Sequence, residues 1–141
     1  MPTAILLAID LSDSKSSKQA LDGALELLSE GGTLHVVSVL PDFGLAQVSG
    51  YFKSDHEGNA LLQLGHALEE WTQTNVPQTI KVHPHVLHGR IYHEVMKAAD
   101  KLNVEVIVLA AHHPELKDYF LGPNAARIVR HAKQSVYVIR N

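Results

Sequence analysis

The order of hydrophobic periodicities constrains this chain more than any other feature. Short apolar runs rich in β-branched residues alternate strictly with segments whose apolar residues recur at helical spacing. The pattern is plainest over residues 104–141. Residues 104–110, VEVIVLA, are almost continuously apolar, as expected of a strand buried on both faces. A long turn follows, and Gly122 and Pro123 open a helix. Proline suits the first helical position, because its missing N–H would have no intrahelical partner there. Ala125, Ile128, Val129 and Ala132 give this helix an apolar stripe. A final strand is bounded by Ser135 and Arg140.

The earlier part of the chain repeats the alternation. Residues 3–9 read as the first strand, which ends at Asp10. Asp13 or Ser14 caps the next helix. Its Ala20, Leu21, Ala24, Leu25 and Leu28 share a face, and Gly31 and Gly32 stop it. Residues 33–39 form the second strand, and Pro41 ends it. Residues 42–55 have no clear period; they read as a mobile loop or a short turn of helix over the carboxyl ends of the sheet, with two roles open, a lid or plain disordered surface. From His56 helical spacing returns, with Leu61, Leu64, Leu68 and Trp71 on one face, until Pro77. Residues 79–87 make the third strand, where Pro84 points to a sheet edge. After Gly89, Ile91, Val95, Ala98, Ala99 and Leu102 mark a helix that Asn103 ends.

Five strands and four helices in this order predict a single-domain α/β fold over residues 1–141. It is a doubly wound parallel five-stranded sheet with helices on both faces. Right-handed crossovers leave few strand orders. The order 3-2-1-4-5 places the third strand at one edge, where Pro84 is tolerated, and the fifth at the other.

Composition removes several function classes. The net charge is −3 and there is no basic block, so no nucleic-acid partner is expected. The chain has no cysteine, which excludes disulfides, thiolate catalysis and cysteine-ligated zinc. No apolar run approaches a membrane span, and the first residues lack the basic start and long apolar core of a signal peptide. No membrane partner and a cytoplasmic location follow as expectations.

In a 3-2-1-4-5 sheet the winding reverses between the first and fourth strands. The crevice at their carboxyl ends is the favoured ligand site of an open α/β sheet. Asp10 and Leu11 leave the first strand there, and Ala110, Ala111 and His112 leave the fourth. The helix at Pro123 can turn its N-terminus into the same crevice, offering N–H groups and a positive dipole end to phosphate. A carboxylate suits a base or ribose hydroxyl. Together they describe a mononucleotide site. Asp10 has a second reading, as a cap for the helix at Ser14 or as part of the Asp13 turn.

The last third of the chain resembles the universal stress protein family, especially its F/G-type members. Those carry an Ala-Ser-His-x-Pro turn, a Tyr-x-Leu-Gly-Ser-Asn-Ala helix start, then Val-Val-Arg-His-Ala and a Val-rich strand ending in Arg. The matching residues are Ala110, Ala111, His112, Pro114, Tyr119, Leu121, Gly122, Asn124, Ala125, Val129, Arg130, His131, Ala132 and Arg140. Residues 5–10 with Ser12, Asp13 and Ser14 resemble the family's start. The likeness in element order and length spans essentially the whole chain; the motifs are weakest over residues 41–75.

The resemblance implies an adenine nucleotide, ATP or else AMP or ADP, with or without Mg. It implies Ala8, Ile9 and Asp10 at the end of the first strand, with Asp10 on adenine or ribose, and Val39 against the adenine. Ala110, His112 and His113 would line the turn. Gly122, Pro123, Asn124 and Ala125 would meet phosphate or ribose. Nucleotide-binding members carry Gly-x2-Gly-x9-Gly-Ser/Thr at this turn, where small residues let the backbone approach phosphates. Here Ala110 stands at the first Gly, His113 at the second, and Pro123 follows the third, Gly122; the turn is also one residue shorter. F/G-type members share the shortened turn. Pro123 removes both a hydroxyl and an N–H donor, so weak ATP binding is expected. The resemblance further implies a homodimer through the strand bounded by Ser135 and Arg140, an apolar edge that invites another strand.

Histidine is the unusual residue, with ten in the chain. His83, His85 and His88 form His-x-His-x2-His, and His83 and His85 project to one strand face. Without cysteine or a convergent acidic ligand, they read as polar edge residues, and no metal is assigned. His131 sits in a last helical turn, where a cation suits the dipole. There is no Gly-x-Ser-x-Gly elbow, His-Glu-x2-His or lysine-bearing phosphate loop, so no catalytic residue is assigned. The expected function is a cytosolic, homodimeric, nucleotide-binding stress-response protein with an unidentified protein partner. Two alternatives are a dimeric interaction module that binds no nucleotide and a slow ATPase.

Overall fold

The first strand explains the architecture. Ile5, Leu6 and Leu7 are each 0% exposed, which requires cover on both faces of the sheet. In the computed structural model, which describes residues 1–41, 53–110 and 122–140, alternate side chains of this strand enter two separate cores. The elements are β1 (Ala4–Ala8), α1 (Ser14–Leu27), β2 (Thr33–Pro41), α2 (Lys53–Asn75), β3 (Lys81–Gly89), α3 (Ile91–Lys101), β4 (Val106–Ala110), α4 (Gly122–His131) and β5 (Ser135–Ile139). The strands form one parallel sheet in the order β3-β2-β1-β4-β5, as the alternation predicts.

Ile5, Leu7 and Ile9 share a core with Leu21 and Ala24 of α1 and Leu68 of α2. Leu6 and Ala8 share the other with Val95 and Ala99 of α3 and Ile128 of α4. Gly23 lets α1 lie close to β5, because a Cβ there would collide with Ile139. Among the described residues, β3 and β5 each pair on one side only. Pro84 therefore sits on an edge strand, opposite Val36.

Some element boundaries depart from the sequence reading. Helix α1 ends at Leu27, ahead of the expected stop at Gly31 and Gly32. Leu28 turns extended (φ −69°, ψ 130°), and the Ser29 N–H donates to Pro2 O at 2.8 Å rather than into the helix. Gly31 still serves the turn, with φ +80°. Helix α2 begins at Lys53 rather than His56; its polar first residues carry no apolar signal. Strand β3 begins at Lys81, because the Ile80 N–H donates to Pro77 O and so closes a turn over residues 77–80. Asn103 ends the α3 region in the left-handed conformation, φ 57°. The expected lid lies largely outside the described residues, over 42–52.

At the start of α1 the cap is Asp13, whose side chain accepts from the Ser16 N–H at 3.1 Å. Removing such a cap costs about 1 kcal/mol. Asp13→Ala should lower the urea midpoint by that free energy divided by the slope, with the slope itself unchanged. A midpoint equal to wild type would mean that water or a neighbour replaces the cap.

Candidate functional site

The carboxyl ends of β1 and β4 lie side by side, with Leu7 opposite Val108 in the register. Beyond β1 the chain stays on the sheet for one more bond, Ile9 N–H to Val37 O at 3.0 Å. Ala125, in the first turn of α4, packs in the same core as Ala8, Val39 and Leu109. The first turn of α4 thereby shares a core with the two strands between which the winding reverses. A helix N-terminus at that point offers unpaired N–H groups and a positive dipole end.

The structure divides the sequence-predicted residues between the two faces of the sheet. Ala8, Val39 and Ala125 lie together on the α3–α4 side. Ile9 and Ala110 lie on the α1 side. Val39 is only 2% exposed, so an adenine would reach it at the strand's end rather than across its side chain. Pro123 is exposed on the first turn of α4. His112 and His113 lie outside the described residues, as does the turn over 111–121.

Asp10 has a defined local role. Its Oδ1 accepts from the Ser12 N–H at 2.9 Å and from the Ser12 hydroxyl at 2.6 Å, an Asx turn. Its carbonyl accepts from the Asp13 N–H at 3.0 Å and from the Ser17 hydroxyl at 2.8 Å. Asp13, not Asp10, caps α1. These bonds fix the carboxylate at the end of β1 and occupy one of its two oxygens. Sequence alone left the turn and ligand roles open, and Asp-x-Ser was the only signal for the turn.

A second contact was not legible from sequence. The first residue position before α3 is Arg90, which makes no side-chain cap. Instead Asn124 of α4 reaches across, and its Oδ1 accepts from the Tyr92 N–H at 3.1 Å. The Arg127 guanidinium carbon lies 4.9 Å from the Tyr92 ring centroid, within cation–π range. The helix that overlies the crevice is thus tied to α3 through its first and second turns. Partners 32 residues apart leave no local sequence pattern.

Comparison with known proteins agrees with this architecture. The universal stress protein family model matches residues 1–140. Universal stress protein G of Shigella flexneri is 32% identical, covering 99% of this chain and 100% of that protein. Among solved structures, a universal stress protein in complex with cAMP superposes with a TM-score of 0.61 at 17% identity, over 98% of this chain and 97% of that one. The universal stress protein from Archaeoglobus fulgidus in complex with dAMP gives a TM-score of 0.60 at 16% identity, over 97% of each chain. Order of elements, strand order and a full-length sequence match converge: this chain belongs to the universal stress protein family.

Proposed function

We propose that this protein binds an adenine nucleotide, ATP foremost, where α4 overlies the carboxyl ends of β1 and β4, and that it works as a cytosolic, homodimeric stress-response module. The observation that carries the reading is that Ala125, in the first turn of α4, shares one buried core with Ala8 and Leu109 near the carboxyl ends of β1 and β4, while Ser12 fixes the Asp10 carboxylate at the end of β1. Helix N–H groups and dipole favour phosphates, and the carboxylate oxygen not used by Ser12 suits a ribose or base donor. Val39 closes the adenine end, and Ala110, Gly122, Asn124 and Ala125 keep the backbone approachable. The cAMP and dAMP complexes of structurally similar family members support an adenine ligand. The nucleotide acts as a conformational ligand, favouring one surface state over another. Among the described residues no helix is long and apolar enough to cross a membrane.

Dimerisation is assigned to β5, which pairs with β4 alone among the described residues. Its Tyr137 is 38% exposed, and Val129 of the adjoining α4 is 54% exposed. A two-fold axis lets such an edge meet its own copy. Sedimentation at micromolar concentration should show a dimer, and Val138→Pro should yield a monomer or a chain that does not fold. A wild-type monomer would remove this part of the reading.

Asp10→Asn separates the two roles of Asp10. Asparagine keeps the oxygen that accepts from Ser12 but removes the charge and the second acceptor. Charge-assisted bonds are worth roughly 1.5–3 kcal/mol, so ATP affinity should fall about tenfold or more while the melting temperature holds. Equal affinity in the two proteins would leave Asp10 with its turn alone.

Pro123 occupies the position where a hydroxyl and an N–H would otherwise face phosphate. With partial replacement by water, restoring them is worth about 1 kcal/mol or slightly more. Pro123→Ser should therefore tighten ATP binding up to roughly tenfold and leave adenosine unchanged. An unchanged ATP-to-adenosine ratio would place the phosphates away from α4.

A further inference from the structure

Strands β2 and β3 carry three imidazoles onto one face of the sheet edge. The register sets His35 opposite His83 and Val37 opposite His85, so the three side chains project to the same side. The rings of His35 and His83 lie 5.5 Å apart at 29°, and those of His35 and His85 lie 5.2 Å apart at 33°. His35 Nδ1 and His85 Nε2 are 3.0 Å apart and share a hydrogen bond. An N–H···N bond between imidazoles needs one bare ring nitrogen. One proton can be accommodated, but with both rings charged the bond is lost and repulsion takes its place.

The surroundings add to that cost. On α3, Glu94, Lys97 and Lys101 line a cavity of about 400 Å³ with His85 and Leu87. Lys81 lies on the same face of β3, two residues before His83. On the opposite face α2 brings His66 and Glu69 beside Pro84 and Val86. Three lysines against one glutamate leave the imidazole face a poor place for further positive charge. Burial foremost, then His85 and His83, holds His35 below the usual imidazole range. Burial and then His83 do the same for His85. Among the described residues no group of three or more histidines or carboxylates is arranged to hold a metal ion, and the His35 and His85 nitrogens are turned on each other.

We propose that His35 and His85, with the His83 ring stacked on His35, form an acid-released latch on β3: the neutral His35–His85 pair holds this edge strand on β2, and mild acid loosens β3 and the start of α3. Strand β3 suits the role, since among the described residues it pairs with β2 alone, Pro84 supplies no N–H, and it leads directly into α3. The direction follows from proton counting. In the unfolded or detached strands His35 and His85 take up protons near 6.5, while the packed pair binds fewer. The latch is therefore complete above about pH 6.5 and is lost as pH falls from there through the depressed folded values. Glu105, whose carboxyl is held low by the Thr3 hydroxyl and N–H, changes only in the carboxylate range, well below this window.

The test is urea unfolding of wild type and His35→Gln/His85→Gln at pH 7.5 and 5.5, with amide protection factors measured at both. Wild type should lose stability on acidification by about tenfold in its folding constant, with β3 amides losing more protection than β1 amides. The double variant should show little of either effect. Equal pH dependence in the two proteins, or equal loss of protection in β3 and β1, would overturn the latch. Ring titration by NMR in the wild type needs no variant: both His35 and His85 should titrate below 6.5, and ordinary values for both would also overturn it.

Discussion

Two-sided burial of β1 is the constraint on which the rest depends. A strand with no exposed surface at Ile5, Leu6 and Leu7 must be flanked by strands and covered by helices on both sides. At roughly 25 cal/mol per Å², each such side chain contributes about 1.5–3 kcal/mol to folding. Covering both faces with right-handed crossovers forces the chain to wind outward from β1 in two directions. The crevice at the carboxyl ends of β1 and β4 is the geometric by-product of that reversal. The candidate site is thus a consequence of how the core closes, rather than an addition to it.

The elements whose signals are local were legible in the sequence. The apolar run ending at Ala110, the Asp13 cap and the break at Asn103 each depend on residues within a turn of one another. Pro84 carried more, since a strand proline cannot donate to a ladder and so marked β3 as an edge. One end that the sequence misplaced is set by a distant partner. The Pro2 carbonyl takes the Ser29 N–H, so α1 stops early, and nothing near Gly31 could reveal it. Asp10 shows the same limit inside the site. Its spacing to Ser12 allowed a turn, and its place after β1 allowed a ligand; only the folded chain shows that one carboxylate oxygen is already engaged.

The bond from the Tyr92 N–H to Asn124 Oδ1 gives the site a mechanical neighbour. The helix proposed to receive phosphate caps α3, and α3 follows β3, whose His85 lines a cavity with α3. Nucleotide at α4 and protonation at β3 would then act on one element, the start of α3. Coupling of that kind needs differential contacts in two states, and α3 is the element that touches both.

Backbone amide shifts on titration with ATP address the nucleotide site without altering the protein. Binding at the β1–β4 crevice should move the amides of Asp10, Leu40, Ala110, Asn124 and Ala125 together, with one common saturation curve. Saturable shifts confined to other surfaces, or none up to millimolar ATP, would contradict a nucleotide held by the N-terminus of α4.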